Sequence, residues 1–485
     1  MEKGIEMKKK ITNFELIFII AAIIKILGLI YKLLLSRILK IEGMRIVSMI
    51  VPTLSLMLSL SSFSISTVVN QNCASNATNT KTILKSALNI TLVTSTIISI
   101  ILLFSFPIYS KIYETSFIYY PLILCIPLIY FSNISGIIKG YLEANNKHNI
   151  SYISNILEHI AKFGLTFILL FIFKNYTLNF KIILVFFSLM ISEIFSFTYL
   201  VSKLNKKYSK SDLRFKPTGF EKNILKQATP LTIEQLLMTL TAYIEPLIFY
   251  YAMSLKGVDL YTSTIYYTQV ASYAIPLIIF TKFAIISIGK FSFPLITKNR
   301  NTDKLQSILK NNFIIALFIA VVNFIICIFY TEDALFYLYD DTSSLEIVKV
   351  LTPFIILSFF NPIFIVTLEA FKEEKKILIS TLISSSILLI LIIPLTYFSG
   401  VKGYLISIII SHIFKFLILF FFSYKHIKLS LTTKEMIYIL TTIFIYTLIN
   451  FLFTNLFILI LSSIPYGLSV LYLFWKNNKP INDHS

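Results

Sequence analysis

Lys25 and Lys32 stand seven residues apart in the apolar stretch AAIIKILGLIYKLLLSRIL, residues 21–39, with Arg37 at its far edge. Seven residues are about two turns of α-helix, so both ammoniums return to one face. Two fixed cations at membrane depth suit an anionic ligand, because Coulomb attraction grows several-fold as the dielectric falls. A lysine or arginine can also run its stem to the interface and keep its charge wet. That second reading suits Arg37 and Lys32 better than Lys25, which lies near mid-run. Glu158, His159 and Lys162 share another run, Glu158 and Lys162 being four apart on one helical face. A self-neutralising ion pair and a substrate or proton role both fit that spacing. Glu234 and Glu245 are eleven apart, again one face; Glu234 lies near a run's end, whereas Glu245 is deep in TAYIEPLIFY beside Pro246. The proline ring breaks the backbone ladder there and bends the helix, which marks Glu245 for gating or ion coupling. Lys282, and His412 with Lys415, complete the charged groups considered inside apolar runs. His412 is read as a packing side chain with a satisfied ring.

Other chemistries lack their residues. There is no Gly-x-x-x-x-Gly-Lys-Ser/Thr loop, no Gly-x-Ser-x-Gly and no His-Glu-x-x-His, which argues against ATP hydrolysis and hydrolase activity. Cys73, Cys125 and Cys327 have neither paired nor metal-ligand spacing, so no disulfide framework, metal or cofactor is expected. Asp340 and Asp341 resemble a glycosyltransferase carboxylate pair, but their short loop offers no further ligands and reads as a solvated acidic turn. The chain is not expected to be an enzyme.

These groups must be positioned by helices. The 485 residues are 56% hydrophobic and 14% charged, with 44 Phe and 28 Tyr, a composition of the all-α polytopic membrane class. The formal charge of +19 reflects basic residues kept on the cytoplasmic side, with no nucleic-acid partner implied. Apolar runs of membrane length predict about fourteen spans, the first two at about 14–36 and 44–69, the fourth at about 117–138, the tenth at about 347–371 and the last at about 455–474. With a cytoplasmic N-terminus and an uncleaved first span, alternation places about 29 Lys/Arg inside and about 9 outside. The basic loop 202–223 falls inside, the acidic loop TEDALFYLYDDTSSLE, residues 331–346, outside, and the C-terminus is cytoplasmic.

An internal repeat supports the count. YLEANNKHNIS at 141–151 follows the fourth span and TLEAFKEEKKI at 367–377 the tenth. Two parallel six-helix halves are implied, related by an axis along the membrane normal. The predicted organisation is an N-terminal lobe, 1–202; a basic linker, 203–223; a C-terminal lobe, 224–424; and two extra helices with a tail, 425–485.

The stretches IIKILGLIYKLLLSRIL and GMRIVSMIVPTLSLML resemble the first two helices of the stage V sporulation protein B family, within the multidrug/oligosaccharidyl-lipid/polysaccharide exporter superfamily that includes the lipid II flippases. YFSNISGIIKGYLEANNKHNISYISNILEHIAKF (130–163), ILKQATPLTIEQLLMTLTAYIEPLIF (224–249) and PFIILSFFNPIFIVTLEAFKEEKK (353–376) carry the resemblance further. It implies a flippase of the cell membrane that moves a polyprenyl-diphosphate-linked glycan or peptidoglycan precursor from inner to outer leaflet by alternating access, in cell-wall, spore-cortex or polysaccharide synthesis. A basic cavity between the lobes would hold the diphosphate. Lys25 and Lys32 fall at basic positions of the first helix, where the family usually has arginine. Glu158 and Lys162 match an acidic and a basic position of the fifth, and Glu245 the acidic residue of the seventh. The expected substrate-binding set is Lys25, Lys32, Arg37, Lys162 and Lys282, with Glu158 and Glu245 in coupling or gating, in a monomer among membrane lipids. SSFSISTVVNQN departs from the family in lacking Gly and Pro and in having Asn70 where a basic residue is common. A divergent paralogue for another lipid-linked glycan, a cation-coupled drug exporter of the same fold, and a non-transporting scaffold for envelope assembly are the alternatives.

Overall fold

Backbone donors and acceptors find no water in hydrocarbon, so a lipid-facing chain must satisfy them internally, and here it does so by helices. The computed structural model describes residues 2–75, 80–145, 147–204, 219–300, 302, 304–427 and 432–477, without the side chains of 2–23, 25, 26, 29, 75, 230, 234, 456, 471 and 473–477. The first half holds α1 (Glu2–Ser62), α2 (Ile65–Ser75), α3 (Thr80–Ile112), α4 (Tyr119–Ala144), α5 (His148–Ile172), α6 (Leu178–Lys203) and α7 (Glu221–Leu255). α8 (Leu260–Thr268), α9 (Ile275–Ile278), α10 (Lys282–Lys298), α11 (Lys304–Phe329), α12 (Thr331–Tyr339) and α13 (Leu345–Ile355) follow. The chain closes with α14 (Asn361–Ala370), α15 (Glu374–Ser399), α16 (Val401–Ser423), α17 (Thr433–Leu452) and α18 (Leu456–Asn477). No strand occurs among the described residues.

Among the described residues eleven stretches are long and apolar enough to cross a membrane, or twelve if the bent pair Leu260–Ile278 and Lys282–Lys298 is one crossing. The protein is multi-pass and all-α; a count of fourteen is not established. One apolar stretch, Ile30–Ala74, covers ground read from sequence as parts of two spans, and α18 offers only the shorter apolar segment Phe457–Val470. Large apolar side chains face outward as lipid contact requires, Phe104 being 81% and Phe421 77% exposed.

The breaks in these helices are specific. Inside α1, Lys40 leaves helical geometry at φ 53°, which kinks the rod where the sequence predicts a loop. Phe63 and Ser64, at φ 46° and 47°, separate α1 from α2 inside the predicted second span. Thr115 accepts from the Phe117 amide to start the 3-10 turn ahead of α4. Between α9 and α10 the path bends by 54°, and Asn323 of α11 donates to the freed Ile278 carbonyl at 2.6 Å. The predicted span 347–371 is α13, a 3-10 stretch at Ile356–Phe360, and α14, with Pro353 in α13 and Pro362 in the first turn of α14. The acidic segment 331–346, expected as a loop, begins with α12, which Asp340 ends in the left-handed region at φ 57°.

The chain packs as two compact units, one formed by Met1–Tyr250 with Asp259–Ile265, the other by Tyr251–Val258 with Tyr266–Ser485. In the first, α5 and α6 meet along small polar residues. Ser154 and Ser196 hydroxyls lie 2.7 Å apart, and Thr166 and Ser188 hydroxyls 2.5 Å; small residues and hydroxyls let membrane helices approach closely where the hydrophobic effect offers no net drive. Gly140 lets α4 approach α2, since a Cβ there would strike the Ser66 carbonyl. Asn133 ties three helices by donating to Ser61 at 2.8 Å and Ser95 at 3.0 Å. In the second unit Leu309, Phe359, Phe364 and Leu419 share an apolar core. There α17 starts with a reciprocal cap between Thr432 and Glu435, whose carboxylate also takes the Lys310 ammonium at 2.8 Å. Tyr330 donates to Asn450 at 2.9 Å, tying the segment after α11 to α17.

Candidate functional site

The first unit gathers charge on α4, α5 and α6. Lys139 of α4 pairs with Glu158 of α5 at 3.2 Å, both side chains about four-fifths buried. The sequence allows Glu158 an ion pair with its i+4 neighbour Lys162 or a substrate or proton role, and its short ion pair is to Lys139 on another helix. Lys162 instead places its ammonium 4.4 Å from the centre of the Tyr31 ring, linking α5 to α1. A cation over an aromatic face gains about 0.5–1 kcal/mol when exposed and about 2 or more when desolvated. Glu158 and Glu193 act on Lys162 electrostatically, and Lys139 and Lys162 in turn on Glu193. One carboxylate oxygen of Glu193 is buried without a hydrogen-bond partner, with Ser132 of α4 nearby.

Lys32 follows Tyr31 on α1 and is half-buried; Arg37 is exposed. The Lys25 and Glu234 side chains, and most of the basic segment 203–223, lie outside the described residues. Glu245 is half-buried within α7, which runs on through Pro246.

In the second unit Lys282 was expected inside a continuous span and is instead the first residue of α10, just past the bend. Its ammonium donates to Ser358 at 2.9 Å, in the 3-10 stretch between α13 and α14. His412 and Lys415 lie three apart on α16, and Lys282 and Lys415 both act electrostatically on His412.

Outside the spans, Glu373 joins two loops of the second unit. It takes Lys425 at 2.8 Å, Lys376 at 2.9 Å and His426 at 3.1 Å, and the His426 ring stacks on Phe371 at 3.8 Å. Burial pushes the Glu373 carboxyl up, but hydrogen bonds from Lys425, Lys376 and His426 outweigh it and hold the group at about 2.

Sequence reasoning missed Lys139 and Glu193. The signal for Glu193 was present, a lone carboxylate in FFSLMISEIFSF that the cost of intramembrane charge should flag. Lys139 sat just past the expected end of the fourth span, 117–138, so it read as interfacial. Among the described residues no group of three or more His, Cys, Asp or Glu side chains could hold a metal ion.

The arrangement can hold and compensate charge inside a bundle. The chain is 23% identical over 372 residues, 73% of its length and 71% of the relative's, to stage V sporulation protein B of Bacillus subtilis (strain 168). It superposes on lipid II flippase MurJ in an inward closed conformation with a TM-score of 0.73 and 18% identity, over 95% of this chain and 99% of that one. An inward-facing multidrug resistance MATE family transporter of the MOP superfamily gives 0.63 and 16%, over 84% and 97%. The two solved structures, a flippase and a multidrug transporter by their names, share this chain's fold. The polysaccharide biosynthesis protein family model matches residues 11–283, more than half of the chain, and the protein belongs to that family.

Proposed function

We propose that the protein is a flippase that carries a polyprenyl-diphosphate-linked glycan from the inner to the outer leaflet of the cell membrane, exposing its binding groups to each side in turn. Lys32 and Lys162 are the headgroup contacts in the first unit, joined by Lys25. The supporting observation is that Glu158 is taken by Lys139, while Lys162 is held on the Tyr31 ring. A cation kept inside a bundle while the carboxylate one helical turn away is paired elsewhere remains available to an anion. Lysine offers a point charge without arginine's two-pronged fork, which suits a ligand that must leave again. Arg37, exposed on α1, meets the headgroup at entry, and Lys282 with Ser358 supplies a basic group in the second unit. Glu158 and Glu245 serve coupling or gating, and the N- and C-termini face the cytoplasm.

Reconstitution tests this. Purified protein in liposomes with a labelled undecaprenyl-diphosphate disaccharide should make the label accessible outside, and Lys32→Gln with Lys162→Gln should remove most of that activity. Wild-type rates in the double variant would defeat the assignment. A second reading, cation-coupled export, is favoured by Glu193, whose buried carboxylate oxygen has no hydrogen-bond partner. It predicts transport of cationic dyes that Glu193→Gln abolishes.

A further inference from the structure

The first unit contains a cavity of about 450 Å³ between α1, α2, α4 and α7, within the range of about 300–1,000 Å³ typical of small-ligand sites. Its lining is mostly polar. Ten of thirteen lining residues carry a hydroxyl or amide, among them Ser59, Ser62, Ser132, Gln235 and Thr239, and none is charged. An anion site needs cations and a cation site needs carboxylates; an apolar site would not spend ten polar side chains. What remains is a neutral ligand rich in donors and acceptors.

Two independent features mark the cavity as built for a ligand. The backbone breaks at its wall: Phe63 and Ser64 both have positive φ, which for a bulky residue such as Phe is a genuine outlier. Such strain persists only where surrounding structure enforces it, and discontinuous membrane helices recur at transport sites. The break aims Ser64 at Gln235, its hydroxyl donating to the amide oxygen at 3.0 Å. The Ser59 hydroxyl, on a residue 1% exposed, lines the cavity with no hydrogen-bond partner. The cavity also borders the charged cluster, because Ser132 lines it and neighbours Glu193.

We infer that this serine-rich cavity, opened by the Phe63–Ser64 break, is a subsite for the neutral, hydroxyl- and amide-bearing sugar of the lipid-linked substrate, separate from the cations that would hold its diphosphate. The inference rests on the flippase reading and deepens it: the cations read charge, and the cavity reads whether a glycan is attached. Gln235 and Thr239 supply the α7 wall, and Ser59 and Ser62 the α1 wall.

Binding to the purified full chain in detergent separates the two claims, with undecaprenyl-diphosphate disaccharide and bare undecaprenyl-diphosphate as probes. Wild type should prefer the sugar-bearing lipid, and Gln235→Leu with Thr239→Val should lower affinity for it by about fivefold or more, the loss expected for one or two neutral hydrogen bonds. Affinity for the bare lipid should not move. Gly136→Leu, filling the cavity from α4, should do the same, and Gly136→Ala should bind normally, since an added Cβ meets only Ser66 at an ordinary 3.8 Å. Equal affinity of wild type for both lipids, or variants that keep the preference, would overturn the subsite and leave the flippase reading standing. Wild type that binds neither lipid would overturn both. Elution as a single species with unchanged melting is required of each variant, and the two-wall design keeps the test decisive if one variant misfolds.

Discussion

Removing Lys139 should silence Lys162 without touching it. The Lys139–Glu158 pair is 3.2 Å long with 17% and 21% of its side chains exposed. At an effective dielectric of about 20 such a pair gains roughly 5 kcal/mol gross, most of it offset by desolvation. The net cost of breaking it lies between about 0–1 kcal/mol for an exposed pair and about 3–5 for a buried one. Lys139→Met should therefore destabilise the chain by about 1–3 kcal/mol. The freed Glu158 then has Lys162 one turn further along α5, in the favoured Glu-to-Lys order. Locked there, Lys162 loses a charge-assisted contact to substrate of about 1.5–3 kcal/mol, roughly a ten- to hundredfold fall in transport. Lys139→Met with Glu158→Gln should restore much of the stability and the binding of undecaprenyl-diphosphate, because position 158 then carries no charge to lock Lys162; transport, which also needs Glu158 for coupling, should stay low. The assay is a double-variant cycle read by detergent melting and lipid binding, with liposome flipping of Lys139→Met at matched protein level. Normal transport in Lys139→Met, or no recovery of melting and binding in the double variant, would refute the reasoning.

Four further outcomes follow from the same structure. At Lys32 and Lys162, double substitution to Arg should keep appreciable flipping and to Glu should abolish it; interfacial snorkelling would instead leave a Gln pair nearly as active as Arg. Glu245→Gln should lower transport at unchanged expression, and wild-type rates would reduce Glu245 to packing. Single cysteines near Asp340 should label from outside and those near Lys203 should not, against a low background because Cys73, Cys125 and Cys327 are buried; the reverse pattern would invert the topology. Glu373 is held at about 2 against an ordinary 4.5, so its contribution to stability is complete above about pH 4.5 and is lost as pH falls toward 2. Melting of Glu373→Gln should accordingly be lower than wild type at neutral pH and show a shallower acid slope across that window, which matched acid slopes would contradict.

Spans were legible because membrane-length apolar runs leave the backbone no option but a helix. Several of their interruptions were not, since they depend on a distant partner or on residues with no breaker signature. Nothing in LSSFSIS announces a break at Phe63 and Ser64, and the bend before Lys282 is stabilised by Asn323, more than 40 residues on. Lys162 and Glu158 were visible as costly charges. Their pairing was not, because the i,i+4 rule weighs one helix, and the carboxylate found its lysine across the bundle. The neutral cavity was invisible for another reason: serines scattered over α1, α2 and α4 look like ordinary small helix residues until the fold brings them together.

The seam between α5 and α6 has a mechanical consequence. Ser188, Ser192 and Ser196 recur every fourth residue, all buried, and Ser188 and Ser192 already donate to carbonyls of their own helix, Val185 at 2.7 Å and Leu189 at 2.8 Å. Separating Ser188 and Ser192 from α5 strands no donor on α6, and a slide of four residues, about 6 Å, carries the α6 serine row one step along α5. Cysteines at Ser154 and Ser192 would report such a step by cross-linking, and their failure to join under any condition would hold the seam rigid. A joint of this kind resists being pulled apart while offering little friction along its length, as a rail does.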